Sequence, residues 1–231
     1  MFKKFGVFGL ATILLFTGAT SAIGVERYIS VSATGSIKVS PDAVRINATT
    51  YSSAATSKLA LSQTATASEK LRASLLASGI TKTYIKSNAI SVLPEYNYTQ
   101  DKGSVLIGYK ATQSFEVVVR KANNAGSVVD GAVNAVGDNL TIDGVTPFIF
   151  DSTKASAAAR IDAVKRAKVK ASAYARLLGV TLGKIIYLDE SSGGSPVPIM
   201  MGAAKSDSGA TVVDLGQQEV VVNIVTRWTI N

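Results

Sequence analysis

The chain has 231 residues, a formal net charge of +8 at neutral pH and 47% hydrophobic residues, and it contains no histidine and no cysteine. These absences remove the usual proton shuttle near neutral pH, the thiolate nucleophile and every zinc site built from imidazole or thiolate. The positive charge is modest and spread along the chain, which argues against a nucleic-acid partner. We therefore expect no cofactor and no enzyme with a recognisable reaction.

The first 22 residues follow the three-part pattern of a secretory signal. Lys3 and Lys4 give a positive start, residues 7–16 are mostly apolar, and small residues follow as far as Ala22. An apolar run of about ten residues is shorter than the roughly twenty that span a bilayer, and the small residues suit cleavage after Ala22. We predict that residues 1–22 are removed on export. The remaining 209 of the 231 residues suffice for one sizeable domain or two small ones.

Several segments alternate apolar and polar side chains with a period of two, as strands do in an antiparallel sheet with one covered face. A further strand is predicted at residues 28–39. Residues 99–103 suit the turn of a hairpin between strands at 84–98 and 105–120. The alternating segments are residues 43–49, 109–120 and 219–230.

Three helices are predicted, at residues 54–78, 121–136 and 152–178. The third has the clearest signals, because Asp151 suits an N-cap, nine alanines raise helix propensity, and Gly179 suits a C-terminal stop. A stripe of mainly small side chains at helical spacing should let this helix lie close to a sheet or another helix. The stripe consists of Ala163, Ala167, Ala171, Tyr174 and Leu178.

The order of these elements predicts the fold class. Strand, helix, hairpin, helix and strand follow one another between residues 43 and 150, which is a split β-α-β unit of the ferredoxin-like kind. We expect an α+β fold of antiparallel sheets with helices packed on one face. Residues 41–150 would form the ferredoxin-like subdomain. Residues 25–40 and 151–231 would form a second, smaller subdomain.

Residues 191–216 combine glycine, serine and proline with a short apolar run, which predicts a loop rather than a strand. An apolar patch in a loop that faces water often marks a contact with a partner. The candidate oligomer or partner contacts are Pro196, Val197, Pro198, Ile199, Met200 and Met201.

The third helix also has a basic side opposite its alanines. This side could contact anionic lipid headgroups or an acidic partner, or it could simply face water, as charged helix faces usually do. Its members are Lys154, Lys165, Lys168 and Arg176.

Two other groups of side chains are candidate sites. Tyrosines 84, 96, 98 and 109 could form an aromatic platform for a glycan or peptide, although core and cross-strand packing is commoner for strand aromatics. The carboxylates are scattered beside turns, where turn and cap roles account for nearly all of them. We assign no catalytic, cofactor-binding or metal-binding residue.

Segments along most of the chain resemble the SIMPL-domain family of exported bacterial envelope proteins. They are ATGSIKVSPDAVRINATTYSSAATSKLALSQ at 33–63, PEYNY at 94–98, GYKATQSFEVVVR at 108–120, the alanine-rich helix at 155–178 and GQQEVVVNIVTRW at 216–228. The resemblance implies a periplasmic or outer-membrane-associated protein linked to tolerance of oxidative stress. It also implies ring-like oligomers in at least one member, and it provides no agreed reaction and no catalytic residues.

The expected function is therefore that of a structural or stress-protective envelope protein. It would form homo-oligomers through its sheet edges, its helix stripe and the loop at 191–216, with peripheral contact to anionic envelope surfaces. The alternative is a carboxylate-based enzyme or ligand-binding protein that acts on an envelope component.

Overall fold

The computed structural model describes residues 26–101, 103–192, 197–199 and 211–231. The predicted export signal lies outside these residues. The described residues form two four-stranded antiparallel sheets and three α-helices. In chain order the elements are β1 (Tyr28–Val39), β2 (Ala43–Ala54), α1 (Ser57–Ala77), β3 (Ile85–Thr99), β4 (Gly103–Val119), α2 (Ala125–Val136), β5 (Leu140–Phe148), α3 (Thr153–Leu177), β6 (Leu182–Ser192), β7 (Val197–Ile199) and β8 (Gln217–Ile230).

The first sheet has the strand order β3-β4-β2-β5, with α1 and α2 packed against it. Its chain order, β2-α1-β3-β4-α2-β5, is that of the ferredoxin-like split β-α-β unit, so the predicted α+β fold class is confirmed. Its core contains Phe115 and Leu71, each 1% exposed, surrounded by valines of β2, β4 and α2. The boundaries proposed for two subdomains stay a prediction.

Hydroxyl side chains replace apolar ones under the first half of α1. Thr50 of β2 and Ser68 of α1 are buried with their hydroxyl oxygens 2.8 Å apart, and Ser68 also donates to Thr64 O. Thr64 in turn donates to the backbone oxygen of Ala111. Each buried hydroxyl therefore has a partner, which buried polar groups require.

The second sheet has the order β1-β8-β6, and β7 pairs with the first residues of β8. Helix α3 covers β1 and β8 and forms a separate core with them. Polar contacts join the first sheet and its helices to β8 and to the segment just before it. Gln218 Nε2 donates to Pro147 O at 2.8 Å, and Asp130 of α2 accepts from the backbone N–H of Thr211 at 3.1 Å.

The predicted alanine stripe of α3 is correct in its first three members and wrong in its last two. Tyr174 is 45% and Leu178 is 65% exposed. The buried positions recur every four residues, so the buried line shifts by about 40° around the helix at each step. A twisted sheet can stay in contact with a buried line that winds around the helix in this way. The buried members are Ala155, Ala159, Ala163, Ala167, Ala171 and Ala175.

The segment predicted as a loop contains a short strand. Val197↔Glu219 and Ile199↔Gln217 are paired in β7 and β8, and β6 continues through Ser191 and Ser192. The prediction that residues 191–216 contain no strand was therefore wrong for five residues. Pro198 is tolerated there because an edge strand can leave one N–H position unused. Of the predicted contacts in this stretch, Pro196, Met200 and Met201 lie outside the described residues.

Helix α3 begins one residue later than Asp151 would require as an N-cap. Ser152 is the N-cap residue and makes no side-chain capping bond, whereas Asp151 Oδ1 accepts the N–H of Thr153 at 2.9 Å. Hydrogen bonds from the Thr153 side chain and backbone lower the pKa of Asp151 below its ordinary value. The ionised carboxylate therefore stabilises the start of the helix, which anionic groups at helix N-termini generally do.

This lowered pKa predicts a pH-dependent effect of Asp151→Asn. A carboxyl group whose pKa is lower in the folded chain contributes stability above its unfolded pKa, and the contribution is lost as pH falls through the folded value. The variant should melt below wild type at pH 6, and the difference should shrink as pH falls below 3.8, the ordinary value for the Asp pKa. Thermal melts of both proteins across this range would test it. A difference that stays constant with pH would contradict a role for the charge.

Candidate interaction surfaces

The distal part of the β3–β4 hairpin, residues 94–108, extends beyond the rest of its sheet, and we call it the hairpin arm. The pairing of β2 with β4 ends at Ala54↔Tyr109. Beyond that point, within the described residues, β3 and β4 pair only with each other, as far as Thr99↔Gly103. The arm is therefore a two-stranded ribbon, and the residue in its turn at position 102 lies outside the description.

Large apolar side chains cover the hairpin arm, and neither core formed by the described residues includes any of them. Tyr98 is 78% exposed and Tyr96 is 57% exposed. Of the core and cross-strand packing expected for the hairpin tyrosines, the core packing was therefore wrong for these two, which have only cross-strand neighbours such as Leu106 opposite Tyr96. The error arises because alternation shows which side chains share a face but not whether anything covers that face. Three more side chains of the arm are also exposed, namely Val105, Leu106 and Ile107.

A second exposed apolar surface lies on β6, the edge strand of the second sheet. Among the described strands, β6 pairs only with β8, so its other edge is open. Four consecutive apolar residues, Ile185, Ile186, Tyr187 and Leu188, are 43–50% exposed. They remain exposed because α3 lies over β1 and β8 and reaches β6 only weakly, through contacts such as the Arg160–Glu190 ion pair. Sequence periodicity did not single out this strand as a surface.

The structure places the predicted basic residues of α3 on one face. At 100° per residue, Lys154, Lys165, Lys168 and Arg176 project within about 45° of one line along the helix. All four are exposed, and they make no ion pair with any other described residue. Lys165, Lys168 and Arg176 surround an open depression of about 400 Å³ floored by Val169, Ser172 and Ala173.

One cavity lies beside the end of α1 and has no acidic lining among the described residues. Arg120 dominates it, donating to Tyr84 Oη at 2.9 Å and stacking 3.5 Å above the ring centre of Phe150. A volume of about 250 Å³ is small for a ligand site. The cavity is lined by Ile80, Tyr84, Val119, Arg120, Lys121 and Val128, among others.

Carboxylates do not gather elsewhere in the described part of the chain either. No group of three or more Asp and Glu side chains is placed there to hold a metal ion. Of the helices in the described ranges, none is long and apolar enough to cross a membrane. The features that stand out are therefore exposed surfaces: the hairpin arm, the β6 edge and the basic face of α3.

These features define an α+β protein of two antiparallel sheets whose exposed apolar and basic surfaces are more developed than its cavities. The chain belongs to the SIMPL family, described as a protein of unknown function (DUF541), whose profile matches residues 29–228. The resemblance noted in the sequence is thereby confirmed.

Individual relatives are similar over most of their length. The 26 kDa periplasmic immunogenic protein of Brucella melitensis is 28% identical over 214 residues, covering 85% of this chain and 83% of the relative. The uncharacterized protein YggE of Edwardsiella ictaluri is 26% identical and covers 94% of both chains. YggE of Escherichia coli K12 is 29% identical over 76% of this chain and 73% of its own. The Brucella name supports an exported, periplasmic location for this chain.

Proposed function

We propose that this chain is a non-enzymatic, structural or stress-protective protein of the periplasm that assembles with copies of itself through the hairpin arm. The observation that supports self-assembly is the exposure of Tyr96, Tyr98 and Leu106, which share one face of a ribbon that extends beyond its sheet. Contiguous exposed apolar patches of this kind commonly mark protein–protein contacts.

A lone ribbon of this length needs a partner for physical reasons. Two-stranded hairpins are marginally stable in water, and a third strand or a packed surface is normally needed. The outer edge of β3 also leaves backbone N–H and C=O groups available for pairing over the length of the arm. A second copy that covers the arm would bury its apolar side chains and satisfy these backbone groups together.

The β6 edge of a neighbouring copy is a suitable receiving surface. It offers an open strand edge, which could pair with the edge of the arm, and the apolar run from Ile185 to Leu188, which could cover the apolar side chains of the arm. Contact between two different surfaces is heterologous, and heterologous contacts produce closed rings or open filaments. The alanine stripe of α3, expected to be a contact surface, does not serve this role, because it is buried against the chain's own sheet. A role for residues 196–201 stays a prediction.

The arm can be tested with Tyr96→Ser combined with Leu106→Ser, two residues directly opposite each other in the hairpin. We expect light scattering to show a multimer for the exported wild-type chain and a single-chain mass for the variant, because the apolar contact is lost. Leu59→Ser with Leu61→Ser is the matched control, since these exposed leucines lie on α1 and should leave the mass unchanged. A monomeric wild-type chain at high concentration would refute the proposal.

A mixing experiment separates arm-to-edge assembly from arm-to-arm assembly. Ile186→Lys with Leu188→Lys should disrupt the β6 edge and also yield monomers. When this edge variant is mixed with the arm variant, each has one intact surface, so we expect dimers and nothing larger. An edge variant that assembles like wild type would show that two arms bind each other instead.

Tolerance of oxidative stress and association with the outer membrane form part of the same proposal and rest on the family resemblance. If assembly underlies protection, the arm variant expressed at the wild-type level should fail to restore growth in peroxide to cells that lack the protein. The α1 control variant should restore it.

A further inference from the structure

Helix α3 has its small side chains inside and its larger apolar side chains outside, the reverse of an ordinary surface helix. The six alanines at four-residue intervals are buried, whereas Ile161 is 73% and Val169 is 63% exposed. These two residues project within about 60° of the mean direction of the four basic residues described above. The outer face of α3 therefore carries both cations and aliphatic side chains.

Neighbouring ion pairs engage most of the acidic residues near this face. Asp162, the acid within the helix, accepts from Arg166 Nε at 2.8 Å and from the backbone N–H of Ser36 at 3.1 Å. Arg160 is engaged with Glu190 of β6. Asp151 lies near Lys154 and interacts with its charge. The other three cations of this face, Lys165, Lys168 and Arg176, make no ion pair with a described residue and remain available to a ligand.

We propose that the outer face of α3 binds the surface of a membrane rich in anionic phospholipid, with the helix axis parallel to the membrane plane. Lys154 and Arg176 are 22 residues apart, which places the charges along about 33 Å of helix. Such a row suits a flat array of phosphate groups. Ile161 and Val169 would enter the zone between headgroups and acyl chains, as apolar residues of interfacial helices do.

A membrane fits these observations better than an acidic protein does. Lys165, Lys168 and Arg176 lie around the apolar side chains of Val169 and Ala173 on one helix face. An anionic membrane surface offers both complements over one extended area, since phosphate groups would meet the cations and the acyl region the aliphatic side chains. This inference does not depend on self-assembly, because the hairpin arm and the β6 edge are separate surfaces.

The test is co-sedimentation of the exported chain with vesicles of 30% phosphatidylglycerol and 70% phosphatidylcholine, and with phosphatidylcholine alone. Each cation near an anionic surface contributes roughly a fivefold factor in binding. Lys165→Gln, Lys168→Gln and Arg176→Gln together should therefore weaken partition into the anionic vesicles about 100-fold. Ile161→Ser with Val169→Ser should weaken it about tenfold through lost apolar burial.

The control variant removes three exposed cations elsewhere: Lys58→Gln, Lys82→Gln and Lys86→Gln. It has the same net charge as the α3 variant, and it should bind within about twofold of wild type if a defined face rather than overall charge is responsible. Equal loss in both variants, or equal binding to neutral vesicles, would overturn the proposal. Binding to soluble polyglutamate without binding to vesicles would also overturn it, and would indicate an acidic protein partner.

Discussion

Replacing Gly35 with alanine should lower the free energy of unfolding by about 3 kcal/mol or more, because overpacking against an unyielding neighbour is costly. A Cβ atom at this position in β1 would lie 2.2 Å from both the Ala159 oxygen and the Ala163 nitrogen of α3. Both are backbone atoms of a regular helix, so neither can rotate away. The helix would have to move off the sheet, which would also open the packing of the alanine line.

A glycine in the first sheet offers the matched control. Gly144 of β5 has Asn47 Nδ2, at 4.0 Å, as its nearest neighbour to an added Cβ, so Gly144→Ala should be nearly neutral. In a chain of this size each kcal/mol corresponds to about 2–4 °C in Tm, so Gly35→Ala should melt at least about 6 °C below wild type. All proteins should be melted at one fixed concentration, because assembly makes Tm depend on protein concentration. Equal Tm values for the two variants would show that α3 is not packed as closely as described.

Phe115→Ala should destabilise the first sheet by about 3–5 kcal/mol, the usual cost of removing a buried aromatic ring. Phe115 is 1% exposed at the centre of the core beneath α1, and Arg72 stacks on its ring at 5.0 Å from the centroid. Its removal leaves a cavity bordered by Leu71 and Val117, which regular helix and strand backbones prevent from closing.

Urea unfolding is the measurement for Phe115→Ala, with Ile161→Ala as control. Ile161 is 73% exposed on α3, and alanine is the better helix former, so this control should match or slightly exceed wild type. The midpoint should fall for Phe115→Ala with an unchanged slope if the denatured state is unaffected. A loss below about 1 kcal/mol would mean that the site collapses around the missing ring.

The ferredoxin-like order of strands and helices was predictable because period-two and helical patterns are local. These patterns followed one another along the chain in the order of the split β-α-β unit. The ends of the elements were harder to predict. β2 continues to Ala54, and α1 begins only at Ser57, because the side chain of Thr56 caps the helix by accepting the N–H of Leu59. The candidate site was predicted in part. The four cations of α3 were identified from their spacing, whereas the hairpin arm was taken for packed structure.

The residues by themselves determined the α+β class, the basic row on α3 and the alanines that let this helix approach a sheet, since these follow from local pattern or from residue type. The family was indicated by the resemblance of segments along most of the chain. Tertiary structure decided that Tyr96 and Tyr98 face water, that β6 is an open edge, and that Gly35 meets the backbone of α3. Exposure and contact depend on which elements come to lie over which, and here residues more than a hundred positions apart, Gly35 and Ala159 among them, meet only when the sheet and the helix have packed together.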